Sequence, residues 1–450
     1  MSDRIRSVVA AALLAAGAFA QDPIAEERVR EVVTWLAADE RRGRDTGSLE
    51  LEQCADWLAE RFAGAGLEPG AGGSWFHEWT MPGLRLDSGA ITVSLVRRFG
   101  EQSQAIPLEP GRDVRWWRPA DGVSGDDEPC TVAHVDDPAV QAMLDFKSAR
   151  RPLLIELPDD HPYWRRAEGT HELLGGVRAA AKPVFLVRKG LLPPPPPADK
   201  EAFWSITWTA PAAERAEVPL RNVTALLPGT TKKDEYVVVS AHYDHVGVGR
   251  PDGDDAIYNG ADDNATGTTA VLLVAEAMAK QPRPQRSVLF VCFAAEERGL
   301  RGSAAFCERP PVPRAQIVCN LNLEMVGRPA PGNEGKAWLT GPGFSDFAQV
   351  LEGPLQRAGV LLVEFEQADM LFAASDNWSF VRHGIVAHSL SAGSLHEDYH
   401  RPNDEVEKLD LAHMTRIVRA LVPAVRELAD RDAVPTWNEK GRKQVERAQR

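Results

Sequence analysis

Apolar residues follow a helical spacing near the start of this chain. Between residues 25 and 70 they recur every three or four positions, first over Val29–Leu36 and again over Leu51–Phe62. Such spacing places apolar side chains on one face of a helix, so the sequence predicts two amphipathic helices. The polar segment 41–47 between them has the composition of a turn.

From residue 222 onward, short apolar runs alternate with loops and helical patterns. Four of the runs are typical of buried parallel strands, namely Tyr236–Ser240, Val288–Cys292, Ile317–Leu321 and Gly384–His388. Helices are predicted at Ala265–Lys280, with Asn264 as N-cap, and at Leu409–Leu428. The predicted fold class is therefore α/β, a twisted, mostly parallel mixed sheet flanked by helices.

Length and composition predict more than one structural unit, because 450 residues exceed one ordinary domain. Residues 85–215 are rich in Pro, Trp and acidic residues, and the proline run Pro193–Pro197 favours an extended spacer. We expect this segment to be a smaller insertion domain within a main domain formed by 21–84 and 216–430. The polar residues 431–450 are expected to be a loose tail.

The first residues have the pattern of a secretory signal. A short basic start precedes the apolar run Val8–Phe19, and small residues at 18 and 20 form a cleavage pattern. The interpretation is a signal peptide at 1–20, with an uncleaved anchor as the alternative. The run is too short to span a bilayer of about 30 Å. We expect export to the periplasm or the extracellular space, and no stable membrane span after cleavage.

Charge and motif content argue against several classes of function. The formal net charge of −14 disfavours nucleic acid as a partner, because phosphate binding needs basic surface. No Gly-x-Ser-x-Gly elbow and no glycine-rich phosphate loop follow a strand, so serine hydrolase and nucleotide-binding functions lack support. The five cysteines include no Cys-x-x-Cys pair that would indicate a thiolate metal site.

Candidate metal ligands lie at the ends of strand-like runs in the second half of the chain. They are His242, Asp263, Glu297, Glu324 and His400. Two imidazoles and three carboxylates suit zinc. The adjacent carboxylate Glu296 is free to accept a proton from a water molecule, which requires hydrogen-bond reach of that water. Asp244, two residues after the first histidine, is expected to accept its second N–H. Together these residues indicate a two-metal hydrolase.

A competing interpretation concerns residues 396–400, His-Glu-Asp-Tyr-His, which match the His-Glu-x-x-His pattern of single-zinc metalloproteases. That pattern needs a helix, so that both histidines share one face. Gly393 and Pro402 leave room for barely two helical turns. It would also leave the upstream carboxylates and His242 without a role, so the two-metal interpretation is favoured.

Five stretches of the chain resemble the cocatalytic dizinc aminopeptidases of the aminopeptidase Y type, which include bacterial leucyl aminopeptidases. These stretches are 240–247, 259–267, 294–303, 322–328 and 395–404. Their order and spacing cover residues 216–430, and Arg42–Gly47 is similar to the lead-in of the same family. Such proteins often carry a protease-associated domain at the place of residues 85–215.

The resemblance implies two zinc ions per chain. His242 and Glu324 would hold one ion, Glu297 and His400 the other, and Asp263 would bridge them.

The family also implies roles for two further residues. Glu296 would be the general base and Asp244 would orient His242, in a zinc-dependent aminopeptidase acting on peptides or proteins with a free N-terminus. A single-zinc acyltransferase resembling glutaminyl cyclase and a non-catalytic binding relative are the alternatives.

Three positions depart from the family pattern. Glu324 replaces the usual aspartate, which lengthens one ligand by a methylene. Asn377 replaces a common histidine, and Glu397 stands where relatives often have proline.

Overall fold

The computed structural model describes residues 24–99, 102–120, 122–134, 151–159, 161–174, 182–192, 203–252 and 255–449. The predicted signal peptide at 1–20 and the proline run Pro193–Pro197 lie outside the described residues.

The secondary structure alternates helices and strands in its second half and is rich in strands before it. The α-helices span Glu26–Leu36, Leu49–Gly64, Pro162–Arg166, Gly267–Ala279, Arg301–Glu308, Phe347–Arg357, Asn377–Val381, Leu411–Asp430 and Glu439–Ala448. The strands, β1 to β20 in chain order, span Glu68–Pro69, Phe76–Asp87, Thr92–Phe99, Gln102–Pro107, Val114–Arg118, Ser124–Pro129, Thr131–His134, Leu153–Leu157, Thr170–Leu174, Val184–Arg188, Phe203–Thr209, Glu214–Leu227, Lys232–His242, Gly247–Asp252, Asp255–Tyr258, Arg286–Phe293, Ile317–Leu323, Lys336–Leu339, Leu361–Leu362 and Val386–Ser391.

One large mixed sheet organises the main body of the described structure. Its strand order is β19-β18-β20-β17-β13-β16-β12-β2-β9, with β1 paired to β12. The four central strands β20, β17, β13 and β16 are mutually parallel, and they are the four strands predicted from the sequence. Strands β12, β2 and β9 add to one side in antiparallel order. The predicted α/β class and mixed sheet are confirmed, although parallel pairing dominates only in the centre.

Helices cover both faces of this sheet because the central strands are apolar on both sides. In β13, Val237 and Val239 belong to the larger core, whereas Val238 between them belongs to a second core on the opposite face. Strands buried on both faces read as continuous apolar runs, which is the pattern seen in the sequence. Helices Glu26–Leu36 and Leu411–Asp430 contribute their apolar faces to the larger core.

The C-terminal segment differs from its prediction. Residues 431–450 were expected to be loose, but Glu439–Ala448 forms a helix whose N-terminus is capped by Asn438, which accepts a hydrogen bond from the Gly441 N–H at 3.0 Å. Trp437 and Val445 pack against the second core. A few apolar anchors are therefore enough to dock this polar helix, a pattern too sparse to be recognised from composition.

A separate hydrophobic core is formed by residues between Leu86 and Ala210. Two four-stranded sheets surround it, with orders β5-β10-β8-β7 and β4-β3-β11-β6. The long antiparallel pair of β2 and β12 carries the chain out to this region and back to the main sheet.

Among the described residues, side-chain hydrogen bonds from Tyr163 and Arg166 link this region to the main body, in addition to the pairing of β9 with β2. The Tyr163 hydroxyl donates to the Val248 carbonyl at 3.0 Å. The Asp45 carboxylate accepts from Arg166 at 2.8 Å and from Arg298 at 2.6 Å, so it links the second region to the segment just after β16.

Two further features bear on the sequence-based expectations. All five cysteines are buried and unpaired. In the described ranges, no helix has the length and apolar character needed to cross a bilayer.

We expect the Arg166→Ala substitution to lower the free energy of unfolding by about 1–2 kcal/mol, because it removes a partly buried, charge-assisted hydrogen bond to Asp45. Urea denaturation followed by tryptophan fluorescence measures the change. Arg165→Ala is the matched control, since Arg165 is exposed on the same helix. Equal unfolding curves for the two variants would show that the contact contributes nothing.

Candidate metal centre

The four central strands deliver polar side chains to one edge of the sheet. His242 is the last residue of β13, and Glu324 directly follows β17. Glu296 and Glu297 come three and four residues after β16, and His400 lies in the long loop after β20. Because the carboxyl ends of parallel strands meet at the same edge, residues far apart in sequence converge there.

Asp263 lies at the centre of this group, in the turn before helix Gly267–Ala279. Its Oδ1 is 3.3 Å from His242 Nε2, and its Oδ2 is 3.1 Å from His400 Nε2. The carboxylate of Asp404 accepts the backbone N–H groups of Asp262 at 3.1 Å and of Asp263 at 3.0 Å, which holds the turn in place. The two carboxylate oxygens of Asp263 therefore face two different sets of donor atoms.

The first set contains His242, Asp263 and Glu324. His242 Nε2 is 3.1 Å from Glu324 Oε1, and the other Glu324 oxygen accepts from the Ser375 hydroxyl at 2.6 Å. The longer side chain of glutamate at this position therefore still reaches its histidine partner, with Ser375 fixing its orientation.

The second set contains His245, Asp263, Glu297 and His400. Glu297 Oε1 lies 3.1 Å from His400 Nε2 and 2.9 Å from His245 Nδ1. His245 was not among the ligands predicted from the sequence, although it lies three residues after His242 in the stretch 240–247 that resembles the family. Its neighbour Asp244 drew attention as a partner of His242 instead.

The spacing of these donor atoms suits the coordination of divalent cations better than it suits hydrogen bonds between the donor atoms. Asp263 Oδ2 and His400 Nε2 are buried and lack a well-aligned hydrogen bond, even though they lie 3.1 Å apart. Ligands at about 2.0–2.1 Å from a tetrahedral zinc ion lie about 3.3 Å from each other. The imidazole–carboxylate distances of 3.1–3.3 Å made by His242 and His400 match that spacing. The arrangement suits two cations that share Asp263.

The electrostatics keep the carboxylates charged. Burial by itself would raise the pKa of Asp263, but its short contacts to His242 and His400 hold that pKa well below its usual range. Burial and Asp263 would raise the pKa of Glu297, whereas His245 and His400 lower it to about 2. Ionised carboxylates are the form that binds a cation.

The pKa of Glu296 is shifted in the opposite direction from those of Asp263 and Glu297. Burial and the nearby Asp376 carboxylate raise the pKa of Glu296 well above its usual range, although His242 opposes the shift. Among the described residues, no hydrogen bond or ion pair engages its carboxylate, which lines the cleft beside His242 and Glu324. A carboxylate with raised proton affinity at this place is suited to accept a proton.

Asp244 contacts its neighbours through different atoms from those expected. His242 Nδ1 is 3.0 Å from the main-chain oxygen of Asp244 and 3.8 Å from its carboxylate. The carboxylate instead accepts the Thr46 hydroxyl at 2.9 Å and the Glu296 backbone N–H at 3.1 Å. The expected carboxylate–imidazole hydrogen bond is therefore replaced by a carbonyl contact, and the side chain of Asp244 positions Glu296.

The competing single-zinc motif lacks its required helix. Residues 397–400 form a turn, and Glu397 is exposed. His396 Nδ1 is 3.1 Å from an Arg328 nitrogen, whereas His400 belongs to the second donor set. The two histidines therefore do not face one point, which contradicts the helical zinc-motif interpretation.

Arg44, which precedes helix Leu49–Gly64, holds together two backbone segments of the candidate metal centre. The buried Arg44 guanidinium donates to the carbonyl oxygens of Tyr243 at 2.9 Å, Asn259 at 2.7 Å and Gly260 at 3.0 Å. Arg44 thereby connects the loop after β13 to the turn that carries Asp263. From the sequence, this segment is predicted only as a turn that is similar to the family lead-in.

A cleft opens beside the first donor set. Its apolar lining is formed by Met325, Trp338, Leu371, Ala374, Leu395 and Tyr399. Asn377 is not part of it, because its amide donates to the Phe372 carbonyl at 2.9 Å and accepts from Ser389 at 2.8 Å inside the protein. The departure from the family at Asn377 therefore concerns packing.

Curated proteins are similar to a little less than half of this chain. A protein named "Probable leucine aminopeptidase" from Arthroderma otae is 27% identical over 216 residues, 46% of this chain and 57% of that protein. A "Probable aminopeptidase" of Saccharomyces cerevisiae is 23% identical over 219 residues, with the same coverage. The chain thus spans little more than half the length of the curated relatives it matches.

A solved structure extends the likeness to the whole fold. BSAP, a zinc aminopeptidase from Bacillus subtilis, aligns with a TM-score of 0.53 at 16% identity, covering 91% of this chain and 96% of that chain. At this identity the likeness shows a shared fold, the mixed sheet flanked by helices.

The family resemblance inferred from the sequence is confirmed by the match of residues 222–425 to the description Peptidase family M28. The matched residues carry every donor residue of the candidate metal centre, so this part of the chain is similar to Peptidase family M28 where the site lies.

Proposed function

We propose that this chain is an exported, zinc-dependent aminopeptidase that hydrolyses peptide bonds at a free N-terminus. The observation that carries the proposal is the position of Asp263, whose two carboxylate oxygens face two separate sets of donors. The match of residues 222–425 to Peptidase family M28 and the names of the curated relatives support the same activity. The N-terminal signal pattern supports export.

His242, Asp263 and Glu324 would hold one zinc ion, and Glu297 and His400 would hold the other together with Asp263. Two bound zinc ions would supply an activated water and polarise the scissile carbonyl. The single-zinc acyltransferase alternative would use only one of these donor sets, and a non-catalytic relative would have no need of Glu296.

Glu296 would move the proton in this reaction. Its carboxylate lines the cleft next to the first donor set, and Asp244 holds its backbone N–H. In the proposed step it accepts a proton from the attacking water and delivers it to the nitrogen of the leaving amine, which balances the charge as the peptide bond breaks.

The cleft supports a preference for apolar N-terminal residues. Trp338, Leu371 and Leu395 offer apolar surface beside the donors, and the Glu296 and Glu324 carboxylates place negative charge where a substrate ammonium could bind.

Residues 85–215, which hold the separate core, would form the insertion domain, and 21–84 with 216–430 would form the catalytic domain.

Glu296→Gln should lower kcat by ~10²–10⁴-fold, because an amide cannot accept the proton. Zinc content and the unfolding curve should not change. Glu397→Gln is the control, since Glu397 is exposed on the turn beside His400 and should keep the parental rate. Steady-state kinetics with an aminoacyl-nitroanilide measure both variants. The reverse result, a silent Glu296→Gln and an inactive Glu397→Gln, would reject the assigned base.

Chelation should abolish activity, and added zinc or cobalt should restore it, because the donor sets serve metal. Elemental analysis of fully active protein should find about two ions per chain, as expected for a two-metal site. A stoichiometry of one ion in fully active protein would contradict the bridging role of Asp263 and favour the single-zinc alternative.

Blocking the substrate N-terminus should lower kcat/KM at least ~10²-fold, because a site built for an ammonium group loses its partner when acetylation removes the charge. Leucyl-nitroanilide and its N-acetyl form are the matched pair. Conversion of N-terminal glutamine to a cyclic amide, without cleavage of leucyl substrates, would identify the acyltransferase instead.

A further inference from the structure

His245 directs a buried nitrogen at the second donor set. Its side chain is 0% exposed, and its Nδ1 lies 2.9 Å from Glu297 Oε1 and 3.8 Å from Asp263 Oδ2. These two distances bracket the spacing of about 3.3 Å between ligands of a tetrahedral zinc ion. His400 Nε2 lies 3.1 Å from the same two carboxylate oxygens. The four donor atoms of His245, Asp263, Glu297 and His400 all lie within 4.8 Å of one another.

The backbone holds the His245 ring in this orientation. The backbone N–H of His245 donates to the Arg44 carbonyl at 3.1 Å. Gly260 adopts a φ of +57°, and a Cβ at that position would lie 2.4 Å from the Cδ2 atom of the imidazole. The glycine thus provides the space that the ring fills, and a side chain there would displace His245.

Two chemical roles are compatible with the short contact between His245 and Glu297. A proton on Nδ1 would make a hydrogen bond to the carboxylate, and His245 would then only position Glu297. A proton on Nε2 would direct the Nδ1 lone pair at an ionised carboxylate, an arrangement that is repulsive unless a cation lies between them. The convergence of His245 Nδ1 with Asp263 and His400 favours the second role.

The surroundings of the two donor sets are also unequal. His242, Asp263 and Glu324 of the first set line the open cleft together with Glu296. In the second set only the shared Asp263 lines it. Structural zinc sites have four protein ligands, whereas catalytic sites have three and keep one position open.

We propose, building on the two-metal function above, that His245 is the fourth protein ligand of the cation held by Asp263, Glu297 and His400. The centre is then asymmetric. The four-donor site holds its cation more tightly and fills first, and the three-donor site beside Glu296 keeps an open position facing the cleft.

Metal titration of the chelator-stripped protein tests this without measuring activity. The unmodified protein should bind two cobalt ions with unequal affinity, and His245→Asn should lose at least ~10²-fold in the tighter affinity because one ligand is gone. His245→Cys should regain two ions and show a thiolate-to-cobalt charge-transfer band. His383→Asn, a partly buried histidine outside both donor sets, is the control and should bind as the unmodified protein does.

An asparagine amide can replace the imidazole N–H as a donor to Glu297 but is a poor ligand for the cation. Parental affinity in His245→Asn, or two ions without the charge-transfer band in His245→Cys, would therefore overturn the ligand role. Binding of fewer than two ions by the unmodified protein would instead contradict the proposed two-metal function.

If the His245 variants do not fold, X-ray absorption of the unmodified protein with one equivalent of zinc decides the question. The first ion should have two imidazole neighbours, from His245 and His400. One imidazole neighbour would overturn the proposal.

Discussion

The close packing of like charges around Asp263 is the constraint on which the rest of the structure depends. Asp263, Glu297 and Glu324 converge within a partly dehydrated pocket, where carboxylates repel one another and lose hydration. Nearby, burial raises the pKa of Asp376 to about 7. The imidazoles of His242, His245 and His400 offset part of this charge. Divalent cations would offset the remainder, because each donor set already has the spacing of a coordination shell.

The fold satisfies this constraint by separating strand pairing into a parallel centre and antiparallel flanks. The parallel strands β20, β17, β13 and β16 end at a common edge, so the end of each strand or the loop after it supplies a donor. The antiparallel pair of β2 and β12 carries no donor and leads to the separate core between Leu86 and Ala210. The donor residues therefore lie at the carboxyl ends of the central strands of the sheet, and the connection to the additional region lies on its antiparallel side.

Support for the centre comes from a segment remote in sequence. Arg44 donates to main-chain oxygens on two of the segments that carry donors. Thr46 donates to the Asp244 carboxylate, and Asp45 connects Arg166 with Arg298. Because Arg298 directly follows Glu297, the Asp45 carboxylate links the second region to the loop that carries this donor. The lead-in segment thus contacts both regions of the molecule beside the metal centre.

The sequence by itself determined the central strands and the main helices, because apolar periodicity is a local property. It also identified five candidate donor residues and the adjacent Glu296, since their position at strand ends is local as well. It also favoured the two-metal interpretation over the helical zinc motif, since Gly393 and Pro402 restrict helix formation locally. Only the tertiary structure decided the antiparallel strands β2 and β12, the docking of helix Glu439–Ala448 and the place of His245. Each of these depends on contacts between residues distant in the chain. His245 in particular becomes a candidate ligand only because Arg44, Gly260 and Glu297, from three separate segments, fix where its ring lies.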